Sequence, residues 1–164
     1  MAVVERVSSV LTRVSQQANS AGSWVVYVPV LVIAAILRLF NLGGLRSLVF
    51  DEVYYVRDAW TLWNLGYEAT WIDGSDFANG GTAAFTTVGD FVAHPPFGKW
   101  IIGAGMALFG PENPAGWRFT TAIVGILVVF LTMLIARKIF GSILVAGVAG
   151  MFVALDGIAI SMSR

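Results

Sequence analysis

Four apolar runs, separated by polar segments, dominate the hydrophobic pattern of this chain. Residues 24–40, 117–136 and 141–160 are almost continuous runs of aliphatic and aromatic side chains. A helix needs about 20 such residues to cross a bilayer, and these runs approach that length. They are predicted to be three transmembrane helices.

The fourth run, residues 97–109, is too short for the same interpretation. Pro95-Pro96 precedes it and Gly110-Pro111 follows it, so a helix here is bounded on both sides. A run of this length is typical of an interfacial or re-entrant helix. We expect it to lie at the membrane surface.

The polar segments carry weaker helical patterns. Residues 1–23 place valines at helical spacing, which predicts an amphipathic helix on the membrane surface, with a loosely ordered tail as the alternative. Residues 51–65 repeat apolar side chains every three or four positions, which predicts a second helix. Residues 74–89, rich in Gly, Thr, Ala and Asn, are predicted to form an extended loop.

Charge predicts the orientation of the spans. Residues 45–96 contain seven acidic residues against two basic ones, whereas Arg137-Lys138 lies between the last two apolar runs. The positive-inside rule then places 1–23 and the turn 137–140 in the cytoplasm. The loop 41–116 and the start of the next segment, 161–164, lie outside. The predicted fold class is an all-α polytopic membrane protein with three transmembrane helices and a large external loop carrying interfacial helices.

Composition excludes several classes of protein. Hydrophobic residues make up 57% of the chain and charged residues 12%, which excludes a disordered tail, a nucleic-acid-binding module and an ordinary water-soluble enzyme. The absence of Cys excludes disulfides and thiolate metal sites. With a single His, a zinc site built from protein ligands is not expected.

The predicted topology gathers polar residues from separate segments at the outer membrane surface. Charges at the margin of a span are costly unless they are paired or functional, so this set predicts a functional site. Snorkelling of the arginines to lipid headgroups is the alternative. The set comprises Arg38, Asp51, Glu52, His94, Lys99, Arg118, Asp156 and Arg164.

Three motifs in this set suggest chemistry. Asp51 and Glu52 point about 100° apart on a helix, so one can serve as a general base while the other braces the loop, although an acidic pair also complements a helix dipole. Lys99, one turn into a proline-initiated helix, suits an anion, or is a snorkelling side chain at a helix cap. Asp156 and Ser163 are seven apart and share a helix face with Arg164 adjacent, so an ion pair and a polar cleft lining both remain open.

The motifs Asp51-Glu52-Val53-Tyr54-Tyr55 and His94-Pro95-Pro96-Phe97-Gly98-Lys99 resemble those of bacterial, actinobacterial-type protein O-mannosyltransferases. These enzymes belong to the GT-C superfamily of glycosyltransferases that use polyprenyl-phosphate sugars. The order of features is similar throughout 24–164. Members are several-fold longer, so the resemblance implies that this chain is an N-terminal portion.

The resemblance implies transfer of mannose from polyprenyl-phosphate-mannose to Ser or Thr hydroxyls of exported proteins, at the plasma membrane and without a cofactor or metal. It implies that Asp51 is the catalytic base and Glu52 its partner. Substrate-site roles are implied for Arg38, Tyr55, His94, Lys99 and Arg118, with Asp156 and Arg164 as further candidates. The export machinery is an expected partner.

Two other interpretations remain open. A GT-C transferase could use a lipid or cell-wall glycan as acceptor, although the His94–Lys99 motif argues against this. A small membrane assembly subunit without catalytic activity could use its glycines for close helix packing. Those glycines are Gly103, Gly105, Gly141, Gly147 and Gly150.

Overall fold

A computed structural model describes residues 22–164 and, before them, Glu5, Arg6, Ser9, Val10 and Arg13. The surface helix predicted over 1–23 therefore lies largely outside the described residues. From residue 22 onward the chain is mostly helical. Its elements are α1 (Trp24–Leu39), α2 (Glu52–Leu65), β1 (Ala69–Trp71), a 3₁₀ helix (Phe77–Asn79), β2 (Phe85–Gly89), α3 (Phe97–Phe109), α4 (Pro114–Phe140), α5 (Ile143–Leu155) and α6 (Gly157–Met162).

Among the described residues, α4 is the one helix long and apolar enough to cross a membrane. It extends beyond the predicted 117–136 at both ends and stops before Gly141, whose φ of 63° suits glycine. The helices α1, α3 and α5 are apolar but shorter, at 16, 13 and 13 residues. Membrane crossing by α1 and α5, and the surface position of α3, stay predictions.

The described residues form two compact units, and the first comprises residues up to Arg38 with Val124–Ser163. Glycines on α5 allow close packing in this unit: a Cβ on Gly150 would lie 2.3 Å from the Met133 side chain, and one on Gly147 2.5 Å from Val26. Small residues at helix contacts are typical of membrane bundles. The buried core consists of Tyr27, Val30, Ala34, Val129, Met133, Ala136, Ile143, Ala146 and Ala154.

The predicted continuous helix over 141–160 is interrupted. α5 ends at Leu155, Asp156 is extended, and α6 begins at Gly157. The Asp156 carboxylate accepts hydrogen bonds from the amides of Ile158 (3.3 Å) and Ala159 (3.2 Å), which caps α6. The expectation that Asp156 and Ser163 share one helix face is therefore wrong, because the extended backbone of Asp156 interrupts the helix.

The second unit comprises Leu39–Ile123 with Arg164. Its helices α2 and α3 pack side by side at Gly103, where a Cβ would lie 3.0 Å from the Trp63 side chain and 3.2 Å from the Ala59 carbonyl oxygen. α2 ends at Gly66, which has a φ of 82°. The buried core of this unit consists of Val56, Ala59, Phe77, Met106 and Trp117.

A two-stranded antiparallel sheet corrects two expectations, the strictly all-α class and the extended loop over 74–89. β1 pairs with β2, Ala69 facing Gly89 and Trp71 facing Phe85. The β-branched residues of β2 suit a strand, and the hydroxyls of Thr70 and Thr86 are hydrogen-bonded across it. The long connection between the strands obscures this pairing in the sequence.

Candidate active site

Arg118, in the first turns of α4, binds Glu52 at the start of α2. Its Nε donates to Oε1 and its Nη2 to Oε2, both at 2.6 Å, and Arg118 is buried, with 6% of the residue exposed. The same side chain donates to three backbone carbonyls of the segment before α2. These belong to Leu42 (3.3 Å), Leu45 (2.7 Å) and Ser47 (3.1 Å).

The segment leading to Asp51 is therefore held in place by both Arg118 and Glu52. The amide of Val49 donates to Glu52 Oε2 at 2.9 Å, in addition to the Arg118 contacts. Between them, Phe50 has a φ of 52°, a left-handed conformation that is costly for a bulky residue. Such strain persists where surrounding contacts enforce it, and it often marks functional sites. Nothing in the sequence predicts the left-handed conformation of Phe50, which only the backbone angle reveals.

Asp51 lies at the N-cap position of α2 but does not cap it. Its side chain accepts no capping hydrogen bond and is exposed, while its backbone carbonyl accepts from Tyr54 and Tyr55. The predicted helix 51–65 thus begins one residue later, at Glu52. Of the two adjacent acids, Glu52 is paired with Arg118, whereas Asp51 is exposed.

Tyr55 and His94 form an aromatic stack at the start of α2, one helical turn after Asp51. The ring centroids are 5.5 Å apart and the planes differ by 24°. Tyr55 follows Asp51 by four residues, and because the backbone of Asp51 is itself helical, the two residues are one turn apart on the same side of the chain. The structure therefore pairs two predicted site residues, Tyr55 and His94, one helical turn from a third, Asp51.

Lys99 has a different environment from the one predicted. It is 2% exposed, and its Nζ contacts Asp58 Oδ2 at 2.9 Å and Glu68 Oε2 at 2.6 Å. Burial alone would lower the pKa of Lys99, but the hydrogen bonds to Glu68 and Asp58 outweigh it, so this pKa is raised. Burial raises the pKa of Asp58 although Lys99 opposes the shift.

Sequence reasoning missed Asp58 and Glu68 as partners of Lys99. For Asp58 a signal existed, because it follows the predicted site residue Tyr55 by three residues and therefore lies on the same face of α2. For Glu68 there was none, since it lies in the connection between α2 and β1. Substrate-site roles for Lys99 and Arg118 stay predictions, and in the structure both cations are paired with carboxylates of this chain.

Arg38 and Asp156 belong to the first unit. Arg38 is 1% exposed and donates from Nη1 to the carbonyl of Ala154 and from Nη2 to that of Val153, both at 3.1 Å. These carbonyls lie in the last turn of α5, where the helix break leaves them without their usual amide donors. Arg38 therefore supplies the hydrogen-bond donors that the last carbonyls of α5 lack.

Arg164 belongs to the second unit and donates from Nη2 to the Phe40 carbonyl at 2.7 Å. The ion pair between Asp156 and Arg164, like the polar cleft lining, stays a prediction. Residues 22–164 and the described N-terminal positions contain no cluster of three or more His, Cys, Asp or Glu side chains suited to a metal ion.

Comparison with known proteins identifies the family. A family model described as dolichyl-phosphate-mannose-protein mannosyltransferase matches residues 28–164. A polyprenol-phosphate-mannose–protein mannosyltransferase of Mycolicibacterium smegmatis is 36% identical over 150 residues, which cover 89% of this chain and 26% of that protein. The proteins of the same name from Mycobacterium tuberculosis and Corynebacterium glutamicum are 35% and 34% identical over 86% and 81% of this chain.

The chain spans about a quarter of the length of these curated relatives, covering 24% and 25% of the last two. No solved structure matches. The family model covers the Asp51-Glu52 and His94–Lys99 motifs as well as Arg118. This chain belongs to the dolichyl-phosphate-mannose-protein mannosyltransferase family.

Proposed function

We propose that this chain forms part of an enzyme that transfers mannose from polyprenyl-phosphate-mannose to Ser or Thr hydroxyls of exported proteins. The observation that carries the proposal is the outward-facing carboxylate of Asp51, next to a Glu52 that Arg118 holds in place. The names of the mycobacterial relatives support the donor and a protein acceptor.

In the proposed reaction Asp51 acts as the general base. It takes the proton of the acceptor hydroxyl as the oxygen attacks the anomeric carbon of the donor. A carbon–oxygen bond to Ser or Thr forms, and the bond between the anomeric carbon and the phosphate oxygen breaks. The polyprenyl phosphate leaves with the bonding electrons, and the anomeric configuration inverts. Proton removal by a positioned carboxylate contributes about 10²- to 10⁴-fold to such reactions.

The other residues have supporting roles in this proposal. Arg118 is a positioning residue, because all its nitrogens bind Glu52 or the backbone that precedes Asp51. Tyr55 and His94 form one wall beside the base. Transfer is proposed to need neither a metal ion nor a cofactor, so excess chelator is expected to leave the rate unchanged. The protein is proposed to act at the external face of the plasma membrane, alongside the export machinery.

The test is transfer of labelled mannose from polyprenyl-phosphate-mannose to a Ser/Thr peptide. Membranes containing the longest reading frame that carries this sequence are used for wild type, Asp51→Asn and Asp73→Asn. Asp73 is an exposed acid in the connection between the strands and serves as the matched control. We expect Asp51→Asn to lose about 10²- to 10⁴-fold at an unchanged protein level, and Asp73→Asn to match wild type.

Four outcomes contradict parts of the proposal. Normal transfer by Asp51→Asn means that another group is the base. Transfer to a peptide with Ala in place of Ser and Thr excludes hydroxyl acceptors. Wild-type transfer to a lipid or glycan acceptor but not to the peptide favours the glycan transferase, and no transfer to either acceptor favours the assembly subunit.

A further inference from the structure

The side chains of Asp58, Glu68 and Lys99 form a buried ionic cluster that the proposed reaction does not use directly. Their exposed fractions are 9%, 4% and 2%. We call this group the Lys99 cluster. Its members come from α2, from the connection to β1 and from the first turn of α3, so it joins three segments that are distant in sequence.

Glu68 binds both ends of the segment that carries His94. Its carboxylate accepts from Lys99 at 2.6 Å, and its backbone carbonyl accepts from the amide of Asp90 at 2.8 Å. Between these two contacts, residues 91–96 are exposed and have no regular secondary structure. The position of His94 is therefore set by anchors on either side of it and by its stack on Tyr55.

The cluster also lies one turn from that stack. Tyr55 and Asp58 are three residues apart on α2, so they are neighbours on one helix face. His94 stacks on Tyr55 and Lys99 pairs with Asp58, so the two contacts follow the same order along both segments. Pro95 and Pro96 stiffen the connection between His94 and Lys99, so displacement of Lys99 is transmitted to His94.

Stability alone is a poor explanation for such a cluster. Burying charges costs desolvation energy, and well-packed apolar replacements of buried ion pairs are often as stable or more so. The geometry points to a positioning role: we propose that the Lys99 cluster holds the His94 segment so that His94 stacks on Tyr55 beside Asp51. Asp58, Glu68 and Lys99 are then positioning residues, and this catalytic consequence rests on the proposed function.

A cross-linking experiment tests the geometry without depending on activity. The chain has no Cys, so Tyr55→Cys with His94→Cys introduces one defined pair, after any cysteines elsewhere in the reading frame are changed to Ser. Phe109→Cys with Phe119→Cys is the matched control, because those rings are 4.9 Å apart at the other end of α3. A short bifunctional thiol reagent is applied to membranes, and the cross-linked fraction is measured over time.

Each pair is compared in two backgrounds, the unchanged cluster and a neutral cluster carrying Lys99→Met, Asp58→Asn and Glu68→Gln. Removing all three charges leaves no unpaired buried charge, which protects the fold better than Lys99→Met alone. We expect cross-linking of the 55/94 pair to fall several-fold in the neutral background, while the 109/119 pair reacts as before. No change at either pair overturns the proposal, and so does an equal loss at both, which indicates general destabilisation.

The catalytic consequence is measured separately, in the protein without engineered cysteines. The neutral cluster is expected to lower kcat by up to about 100-fold, the scale on which a misplacement of about 1 Å acts, with KM for the donor nearly unchanged. In combination with His94→Ala the loss should not exceed that of the larger single effect. If the combined variant loses activity by the product of the two single effects, positioning through His94 is overturned. If wild type transfers no mannose but cross-linking behaves as expected, the proposed function fails and the positioning role stands.

Discussion

Arg118 donates two hydrogen bonds, each 2.6 Å long, to the two carboxylate oxygens of Glu52. The two side chains are 7% and 21% exposed. This bidentate geometry is the strongest form of a charged pair, and it joins the start of α4 to the start of α2. Because Arg118 also binds three backbone carbonyls, the pair determines the path of the chain into Asp51.

Arg118→Lys is therefore expected to be a disruptive substitution. An ammonium cannot reproduce the planar fork that serves Glu52 and the carbonyls together. Removal of one partner from a buried pair costs about 3–5 kcal/mol, and the partial exposure of Glu52 favours the lower end. We expect Arg118→Lys and Arg118→Gln to lower both the unfolding temperature and mannose transfer.

Arg46→Lys is the matched control for this prediction, because Arg46 is exposed in the same segment. It should leave both quantities unchanged. Wild-type unfolding and transfer in Arg118→Lys would show that charge alone suffices at this position and would contradict a role for the fork.

Arg38 is expected to stabilise the end of α5 through its own fork. Its two terminal nitrogens donate to the carbonyls of Val153 and Ala154, which a lysine cannot span together. Hydrogen bonds from charged groups contribute about 1.5–3 kcal/mol each, so Arg38→Lys should lower the unfolding temperature measurably. Thermal unfolding of detergent-solubilised protein measures the effect, with the exposed Lys138→Gln as control. Equal unfolding temperatures for all three proteins would refute the capping role.

Local patterns predicted the helices well but not the partners of their side chains. The helix of Phe97–Phe109 has the bounds that flanking Pro and Gly residues predict, and α2 differs from its prediction by one residue. The break at Asp156 was missed because the apolar pattern continues through it, while the carbonyls it frees are satisfied by an arginine from α1. Such a partner is invisible to local periodicity.

In the candidate site, too, the sequence predicts local features but not distant side-chain partners. The motifs identify Asp51, Tyr55 and His94, and the structure stacks Tyr55 on His94 one helical turn from Asp51. For Lys99, one turn into a proline-initiated helix, the sequence predicts an anion or a snorkelling side chain. Its carboxylate partners lie 41 and 31 residues away along the chain, and only folding reveals such distant pairs.

The membrane orientation of α4 gives a separate prediction. Glu112 precedes this helix and Lys138 lies in its last turn, and both are exposed. The positive-inside rule predicts that Glu112 is outside and Lys138 inside. In a cysteine-free background, Glu112→Cys should react with an impermeant thiol reagent in intact cells, and Lys138→Cys only after permeabilisation. The reverse labelling pattern would invert the predicted topology.

The Lys99 cluster predicts a loss of stability at alkaline pH. Burial opposes the charge of Lys99, but its hydrogen bonds to Glu68 and Asp58 raise its pKa above the usual 10.5 in the folded state. A raised pKa means that the folded state binds the proton more tightly than the unfolded chain does. The contribution of Lys99 to stability is therefore complete below pH 10.5 and is lost as the pH rises through the folded-state pKa.

Unfolding temperatures measured from pH 8 to pH 12 check this prediction. Wild type should lose stability above about pH 10.5 relative to the neutral cluster variant, which lacks the titrating group. The pKa of Asp58 is raised mainly by burial, so the folded state binds this proton more tightly than the unfolded chain does. Acidification through that pKa therefore favours the folded state through this group. Asp58→Asn should therefore not protect the protein against acid. A stability difference between wild type and the neutral variant that stays constant to pH 12 would mean that Lys99 is not paired as the structure shows, because a paired ammonium must give up its contribution when it loses its proton.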